Sequence, residues 1–216
     1  MIRTWKLTKN TAEEQRFKDE SSLDAITRQL PDGWYSTFRT YDNCTRVIGL
    51  TDHLKRLPDA DAAFLRRSLI HLLEPFRHRE ARVRVLETRQ KKFYIFIEPL
   101  HLFPREFYEK GVRVETTTLR RENPRVKSTV FIGASSDERK HIKQAGIHEA
   151  LMVKNGRILE GLTSNFFYIV GRDIIPPYLG TAGRGILPGV TRTMVIRAAR
   201  GRGIVAAPRK ERARWY

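Results

Sequence analysis

Apolar residues recur with two different periods along this chain of 216 residues, and that mixture limits the possible folds more than any other feature. Residues 59–76 carry leucines at three- and four-residue spacing, which is typical of a helix with one buried stripe. A shorter helix is predicted at 52–57. Residues 33–41, 82–86 and 93–97 are rich in β-forming residues, so they predict strands, the last two as an antiparallel pair.

The second half continues this mixture of periods. A Lys-Asn-Gly turn between residues 150–153 and 157–159 is a strong hairpin signal. Helix and strand are therefore mixed in both halves, which predicts an α+β (mixed α/β) class in two small domains. The other predicted elements are strands at 111–117 and 165–170, a helix at 135–144 that Ser135 or Ser136 caps and Gly146 ends, and a helix at 191–200.

A polar segment that contains a proline, at residues 120–125, separates the two halves. Such segments are typical of domain boundaries. We therefore expect an N-terminal domain at 1–119, a linker at 120–126 and a C-terminal domain at 127–216.

Composition excludes several classes of protein. The one cysteine, Cys44, excludes an intramolecular disulfide and a cysteine-rich zinc site, and no metal site is predicted. The sequence has no apolar run of transmembrane length and no apolar stretch at the N-terminus like that of a signal peptide, so we expect a cytoplasmic location and no membrane partner. The formal charge of +17 is spread along the chain and is densest near its end. A solvated basic surface accounts for it better than a nucleic-acid site, which stays an alternative.

Three segments of the second half carry residues suited to chemistry: residues 125–129, 159–167 and 185–192. In the third, Gly189 precedes a predicted helix start, where backbone N–H groups and the helix dipole favour a phosphate. Glu160 lies between a strand and a glycine-containing turn, where a carboxylate can face inward and hold a proton on a ring nitrogen. Lys127 offers an amine on a long tether, and such an amine can attack an aldehyde.

In this order and spacing, the three segments resemble those of the class IV aminotransferases, the fold type IV enzymes that use pyridoxal 5′-phosphate (PLP). The resemblance includes the Glu-Gly-x-x-Ser-Asn-x-Phe and Ile-Leu-Pro-Gly-Val-Thr-Arg sequences and extends over residues 33–203. Residues 52–57 in the first half are similar to the family segment whose arginine reaches the cofactor phosphate. The resemblance implies the two-domain fold of D-amino acid aminotransferase.

The resemblance also implies roles for single residues. Lys127 corresponds to the catalytic lysine that forms a Schiff base with PLP and then moves the substrate proton. Glu160 corresponds to the carboxylate paired with the pyridine nitrogen, and Arg56 to the phosphate-binding arginine. The remaining residues expected to bind the cofactor are Ser164, Asn165, Leu187, Gly189, Val190 and Thr191.

The implied reaction moves an amino group between an amino acid, branched-chain by family frequency, and a 2-oxo acid. A lyase of the aminodeoxychorismate type shares these motifs and stays open. Tyr35, Arg39 and Tyr41 alternate along a predicted strand and are candidates for contacts with the substrate. Ile132 stands where many branched-chain enzymes have a tyrosine, which is more like the D-amino acid branch.

Relatives continue past the helix that follows the phosphate site, whereas this sequence stops at Tyr216. We therefore expect an incomplete second domain, and a truncated relative with impaired catalysis is a further possibility. Relatives are homodimers with an active site between the two domains, so the resemblance also implies a homodimer.

Overall fold

The fold is described from a computed structural model that places residues 1–9, 11–170 and 178–208. The basic run at 209–214 and the chain end at 212–216 lie outside these residues. The chain divides into two compact units, which we call the first unit (Met1–Phe103 with Lys127–Gly133) and the second unit (Pro104–Val126 with Ala134–Tyr216). Helices in the described ranges are all too short or too polar to cross a membrane.

The first unit is built on a five-stranded antiparallel sheet with the strand order β2 (Ala12–Gln15), β1 (Arg3–Leu7), β5 (Phe93–Pro99), β4 (Ala81–Thr88) and β3 (Gly33–Arg39). The predicted pairing of the strands near 82–86 and 93–97 is confirmed, since β4 and β5 are neighbours. The elements of this part of the chain are β1 (Arg3–Leu7), β2 (Ala12–Gln15), α1 (Leu23–Thr27), β3 (Gly33–Arg39), α2 (Leu50–Leu54), α3 (Ala62–Leu73), a 3-10 turn (Glu74–Phe76), β4 (Ala81–Thr88), β5 (Phe93–Pro99) and α5 (Val130–Ala134).

Each face of this sheet buries its own apolar cluster because neighbouring residues of a strand point to opposite faces. Helix α3 covers one face with its leucine stripe, and Phe38 of β3 belongs to that cluster. On the other face, Tyr35 of β3 packs with Ile26 of α1, Phe96 of β5 and Ile132 of α5. Tyr35 and Phe38 lie on the same strand but pack into the apolar clusters on opposite faces of the sheet.

Two predicted elements of the first unit are shorter than expected. The strand at 33–41 ends at Arg39 because Asp42, Asn43 and Cys44 all have positive φ, between 52° and 63°, and turn the chain. The helix at 59–76 begins only at Ala62, since the Asp61 carboxylate caps it by accepting from two backbone N–H groups at 2.9 and 3.0 Å. The other predicted helix, at 52–57, lies at Leu50–Leu54 instead.

The second unit contains two three-stranded sheets. One has the order β6 (Val114–Thr117), β7 (Glu149–Lys154) and β8 (Arg157–Gly161), and the other β11 (Val205–Pro208), β10 (Tyr178–Thr181) and β9 (Tyr168–Val170). The predicted hairpin is confirmed: β7 and β8 pair antiparallel, and Asn155 and Gly156 both adopt positive φ between them. The elements are α4 (Arg105–Glu109), β6 (Val114–Thr117), α6 (Ser136–Gln144), β7 (Glu149–Lys154), β8 (Arg157–Gly161), β9 (Tyr168–Val170), β10 (Tyr178–Thr181), α7 (Val190–Gly201) and β11 (Val205–Pro208).

Helix α6 begins one residue later than predicted, after Ser135, whose side chain forms no cap hydrogen bond, and it ends before Gly146 as predicted. Helix α7 extends the helix predicted at 191–200 by one residue at each end. Two predicted strands are shorter than expected. The strand at 111–117 begins at Val114, because Gly111 has a φ of 76° and the register with β7 starts only at Val114. The strand at 165–170 begins at Tyr168, where pairing with β10 starts.

The two units differ from the predicted division at 1–119, 120–126 and 127–216. Residues 104–119 group with the second unit because β6 pairs in parallel with β7. Lys127–Gly133 groups with the first unit because its backbone pairs with β3: Tyr35 N–H donates to the Lys127 carbonyl and Thr129 N–H to the Gly33 carbonyl, both at 3.0 Å. Lys127 is therefore attached to the edge of the first sheet.

Candidate functional site

Lys127 is held beside a buried tyrosine of the first unit. Its Nζ lies 5.0 Å from the centre of the Tyr35 ring, and the guanidinium carbon of Arg84 lies 4.6 Å from the same centre. Tyr35 is only 5% exposed, so its ring is packed in the core, and its predicted contact with a substrate stays a prediction. The side chain of Tyr35 is thus placed to set the position of the Lys127 amine.

Arg84 is itself anchored from several directions. It donates to the Leu23 carbonyl at 3.0 Å, to Asp24 Oδ1 at 2.7 Å and to Thr37 Oγ1 at 3.1 Å. Thr37 and Tyr35 are two residues apart on β3 and both contact Arg84, as expected for one face of a strand. The Tyr35 ring is therefore supported by a buried, charge-paired arginine.

His53 is close enough to Lys127 to feel its charge, and the sequence analysis assigned it no role. Its Nδ1 lies 2.8 Å from Ser36 Oγ, and its ring is buried against Phe38. Burial, followed by the positive charges of Arg56 and Lys127, lowers the pKa of His53 to about 4. Of the predicted residues, Arg56 and Lys127 are therefore close enough to act on one imidazole, which is neutral near pH 7.

The two other substrate candidates of the first unit contact each other. The guanidinium carbon of Arg39 lies 4.4 Å from the Tyr41 ring centre, and Arg39 Nε donates to the Thr40 carbonyl at 3.3 Å. Both side chains are half-buried, unlike that of Tyr35. Their predicted contact with a substrate stays a prediction.

Glu160 is a buried carboxylate near the end of β8 in the second unit. It is 2% exposed, and its Oε1 accepts from the Leu187 backbone N–H at 3.1 Å and from Arg121 Nε at 3.0 Å. Asn165 Nδ2 approaches Oε2 at 3.5 Å. Three predicted residues, Glu160, Asn165 and Leu187, therefore meet around one carboxylate.

Helix α7 begins directly beside this group. Its N-cap is Gly189, with no side-chain cap hydrogen bond, and Val190 and Thr191 open the helix. A β-carbon at Gly189 would collide with Oδ1 of Asn165, so this close approach requires glycine. The first N–H groups of a helix have no partner within it, and the helix dipole makes this end positive. The arrangement suits a phosphate.

The hydroxyl of Ser164 contacts Glu149 and not the Glu160 carboxylate. Its Oγ donates to Glu149 Oε2 at 2.9 Å, and the same oxygen accepts from Thr163 Oγ1 at 2.7 Å and Thr163 N–H at 3.1 Å. Glu149 thus holds the turn that follows β8 and thereby the position of Asn165. A direct contact of Ser164 with the cofactor stays a prediction.

Two arginines near Glu160 were not predicted from the sequence. Arg121 lies in the segment interpreted as a linker, yet its side chain is only 6% exposed. Arg192 follows the phosphate-binding sequence and donates to the Ala182 carbonyl at 3.0 Å. Burial lowers the pKa of Arg192, and the negative charge of Glu160 opposes that shift. A buried carboxylate needs a cation nearby, but the sequence does not show which arginine supplies it.

A cavity of about 500 Å³ adjoins the loop before α7 in the second unit. Ile186 and Pro188, the neighbours of Leu187, line it together with the basic side chains of Arg125, Arg184 and Arg192. Its walls are therefore cationic and suit an anionic ligand. Among the residues that the structure places, no group of three or more His, Cys, Asp or Glu side chains could hold a metal ion.

Solved structures share this architecture at low sequence identity. A hypothetical aminotransferase from Mycobacterium tuberculosis, in its apo form, is 20% identical with a TM-score of 0.75, over 97% of this chain and 82% of that one. Its PLP-bound form gives a TM-score of 0.73. A fold IV transaminase from Curtobacterium pusillum is 21% identical with a TM-score of 0.71, over 96% and 81% of the two chains.

The T.th. branched-chain amino acid aminotransferase, solved with pyridoxamine 5′-phosphate, is 18% identical with a TM-score of 0.70, over 95% of this chain and 76% of that one. These similarities confirm the predicted two-domain mixed fold, and part of each longer chain has no counterpart here. No curated protein matches the chain. The sequence model of the family described as amino-transferase class IV matches residues 33–212, which is most of the sequence. The chain therefore belongs to the class IV aminotransferase family.

Proposed function

We propose that this protein is an aminotransferase that uses PLP to move an amino group from an amino acid to a 2-oxo acid. The observation that carries the proposal is the buried Glu160 carboxylate, bonded to the Leu187 N–H two residues before the glycine that opens α7. A ring-nitrogen partner and a phosphate site are thereby adjacent in one part of the fold. PLP is the cofactor named for the bound form of a structural neighbour.

The residues present fit this cofactor. Gly189 forms a cradle that any β-carbon would fill, and the N–H groups of Val190 and Thr191 open the helix beside it. Glu160 would pair with the pyridine nitrogen, and Leu187 would pack against the ring. Arg56 would add a positive charge for the phosphate, and Lys127 would hold the aldehyde carbon covalently.

When bound, PLP supplies an aldehyde carbon that reacts with amines and a ring that withdraws electrons from the substrate Cα. Glu160, which pairs with Arg121 at 3.0 Å, would hold a proton on the ring nitrogen. Lys127 Nζ would then move a proton from the substrate Cα to the aldehyde carbon of the cofactor.

The first unit contributes position and charge to this step. Tyr35 packs against the Lys127 amine, so it limits the rotamers from which Nζ reaches the substrate. His53 is neutral near pH 7 and therefore adds no further positive charge beside Arg56 and Lys127. Arg39 and Tyr41 are proposed to contact the substrate, with no preference between a branched-chain and another side chain.

The test is amino-group transfer by the protein purified with PLP. We expect an amino acid and a 2-oxo acid to exchange their amino group, with Lys127→Ala reducing turnover by roughly 1,000-fold or more, as is typical when a covalent catalyst is removed. Lys55→Ala, an exposed lysine of the same half, is the matched control and should leave turnover unchanged.

Product analysis separates the lyase alternative. Release of pyruvate from an aminodeoxychorismate-type substrate with no 2-oxo acid present would favour the lyase. Absence of turnover with any amino donor, despite bound PLP, would favour a relative with impaired catalysis. Either result would reject transamination as the function.

A further inference from the structure

We infer that Arg121 is a positioning residue that keeps Glu160 ionised and oriented toward the ring nitrogen of the cofactor. This inference rests on the proposed function, because it assigns a partner to the carboxylate that the function uses. Arg121 would touch neither substrate nor cofactor and would act through Glu160 alone.

The contacts of Arg121 support a fixed geometry. Its Nε donates to Glu160 Oε1 at 3.0 Å, while its Nη2 donates to the Leu162 carbonyl at 3.2 Å. The guanidinium plane thus spans the carboxylate and the backbone that follows it by two residues. Arginine is suited to this arrangement because its donors form a rigid, planar fork.

Burial strengthens the electrostatic interaction between Arg121 and Glu160. The two side chains are 6% and 3% exposed, so solvent screens their interaction very little. A buried carboxylate without a cation would favour its neutral form. Other groups that act on Glu160 include the Leu187 N–H, the Asn165 amide and the more distant positive charge of Arg192. Arg121 is a cation in direct contact with Oε1.

The direction in which Arg121 affects catalysis depends on whether Glu160 or the ring nitrogen holds the proton between them. A cation beside the carboxylate stabilises its ionised form more than it destabilises the protonated ring, because the cation is nearer to the carboxylate. The proton would therefore stay on the ring nitrogen, where it would help the ring to withdraw electrons. Without Arg121 the proton would move toward Glu160 and the ring would withdraw electrons less well.

A purely structural role predicts a different pattern. If Arg121 only linked the chain to the Leu162 carbonyl, its loss would lower stability by a similar amount at every pH. If it keeps Glu160 ionised, its loss raises the pKa of a buried carboxyl group. The folded state then binds a proton that the unfolded state releases, so the destabilisation grows as pH rises through the new pKa.

The experiment compares Arg121→Gln with Arg120→Gln. Arg120 is the preceding residue and is exposed, so the control removes the same charge from the same segment. Without cofactor, thermal unfolding midpoints are measured from pH 5 to pH 8. With PLP, kcat and KM for the amino donor and the pH titration of the cofactor absorption band are measured.

We expect the midpoint of Arg121→Gln to fall further below that of Arg120→Gln at pH 8 than at pH 5. In the loaded enzyme, kcat should fall roughly tenfold or more, a scale typical of residues that hold a functional group in place. KM should change by less than about threefold, because substrate contacts are unchanged. The cofactor band should change its pH dependence in Arg121→Gln only.

Arg121→Lys decides the question if Arg121→Gln does not fold. A lysine keeps the charge but cannot hold Glu160 and the Leu162 carbonyl in one planar fork, so a smaller change of the same sign is expected. The inference is overturned if the glutamine variant, or the lysine variant in its place, matches Arg120→Gln in both pH profiles. If the unmodified protein takes up no PLP, the proposed function itself fails. If it takes up PLP and the variants still match, only the inference fails.

Discussion

The side-chain nitrogen of Lys127 lies 5.0 Å from the centre of the Tyr35 ring, and Tyr35 is buried in the core of the first unit. Lys127 thus depends for its surroundings on β3, which lies about 90 positions earlier in the sequence. Backbone pairing reinforces this dependence, since the Tyr35 N–H donates to the Lys127 carbonyl. The lysine that we propose as the attachment point is therefore part of the first sheet's edge.

Replacing Tyr35 tests whether its ring positions the lysine. Tyr35→Leu should lower stability by about 1–3 kcal/mol through lost packing, and it should also slow PLP attachment several-fold. Tyr35→Phe keeps the ring and should attach PLP at the original rate. Tyr94→Leu, in the same cluster, should lose stability alone. Equal attachment rates in Tyr35→Leu and Tyr94→Leu would show that Tyr35 is only a core residue.

His53 predicts how stability responds to acid. Its pKa is about 4 when folded, against an ordinary value of 6.5, so the unfolded chain binds a proton that the folded chain does not between these values. Keeping His53 neutral therefore costs no stability above about pH 6.5, but stability is lost as pH falls from 6.5 toward 4. The loss amounts to about 2 kcal/mol at pH 5.

Chemical unfolding at pH 7 and pH 5 measures this loss. His53→Asn should lose less stability on acidification than the unmodified protein, although it is less stable at pH 7. His78→Gln, at an exposed histidine, should keep the original acid sensitivity. If His53→Asn retained the full loss between pH 7 and pH 5, His53 would not be its source.

Gly189→Ala tests the cradle at the start of α7. The backbone angles at Gly189 are ordinary, with φ of −65° and ψ of 137°, so any effect comes from the added methyl group against Asn165. We expect a loss of about 1–3 kcal/mol in stability from this overpacking. PLP affinity, measured by titration, should fall more than about tenfold as the phosphate site is displaced.

Gly201→Ala is the matched control at the other end of the same helix, where a β-carbon meets nothing within 4 Å. Alanine favours helix over glycine, so this variant should be unchanged or slightly more stable. Its PLP affinity should match that of the unmodified protein. Similar PLP affinities in the two alanine variants would argue against a phosphate at α7.

The capping role of Asp61 gives a prediction for the fold alone. Its carboxylate accepts from the N–H groups of Ala63 and Phe64, so Asp61→Ala should lower the free energy of unfolding by about 1 kcal/mol. PLP affinity should not change, because the contacts of Lys127 and Glu160 are intact. Denaturant unfolding measures the loss, and an unchanged midpoint would show that α3 does not need this cap.

Local patterns of sequence account for the elements that were predicted well. The Asn155-Gly156 turn and the leucine stripe of α3 each follow from a few neighbouring residues, so the hairpin and the helix could be recognised. Strand β1 is only five residues long, and its pairing with β5 joins residues that lie far apart in the sequence, such as Trp5 and Ile95. Such pairing has no local signal, so the first two strands were missed.

The candidate site shows the same limit. Glu160, Leu187 and Gly189 belong to short sequences that resemble a known family, and the structure brings Glu160 and Leu187 into contact. Arg121 lies in a polar segment with a nearby proline, which predicts a surface linker. Its burial depends on Glu160, 39 positions away, and therefore could not be deduced from the segment itself.

The most direct test of the account is the identity of the residue that carries PLP. The protein is incubated with PLP, reduced with borohydride, digested and analysed by mass spectrometry. We predict one added pyridoxyl phosphate group, on the peptide that contains Lys127, and none in Lys127→Ala. A modification on another lysine, or an unmodified Lys127 at saturating PLP, would contradict the central claim.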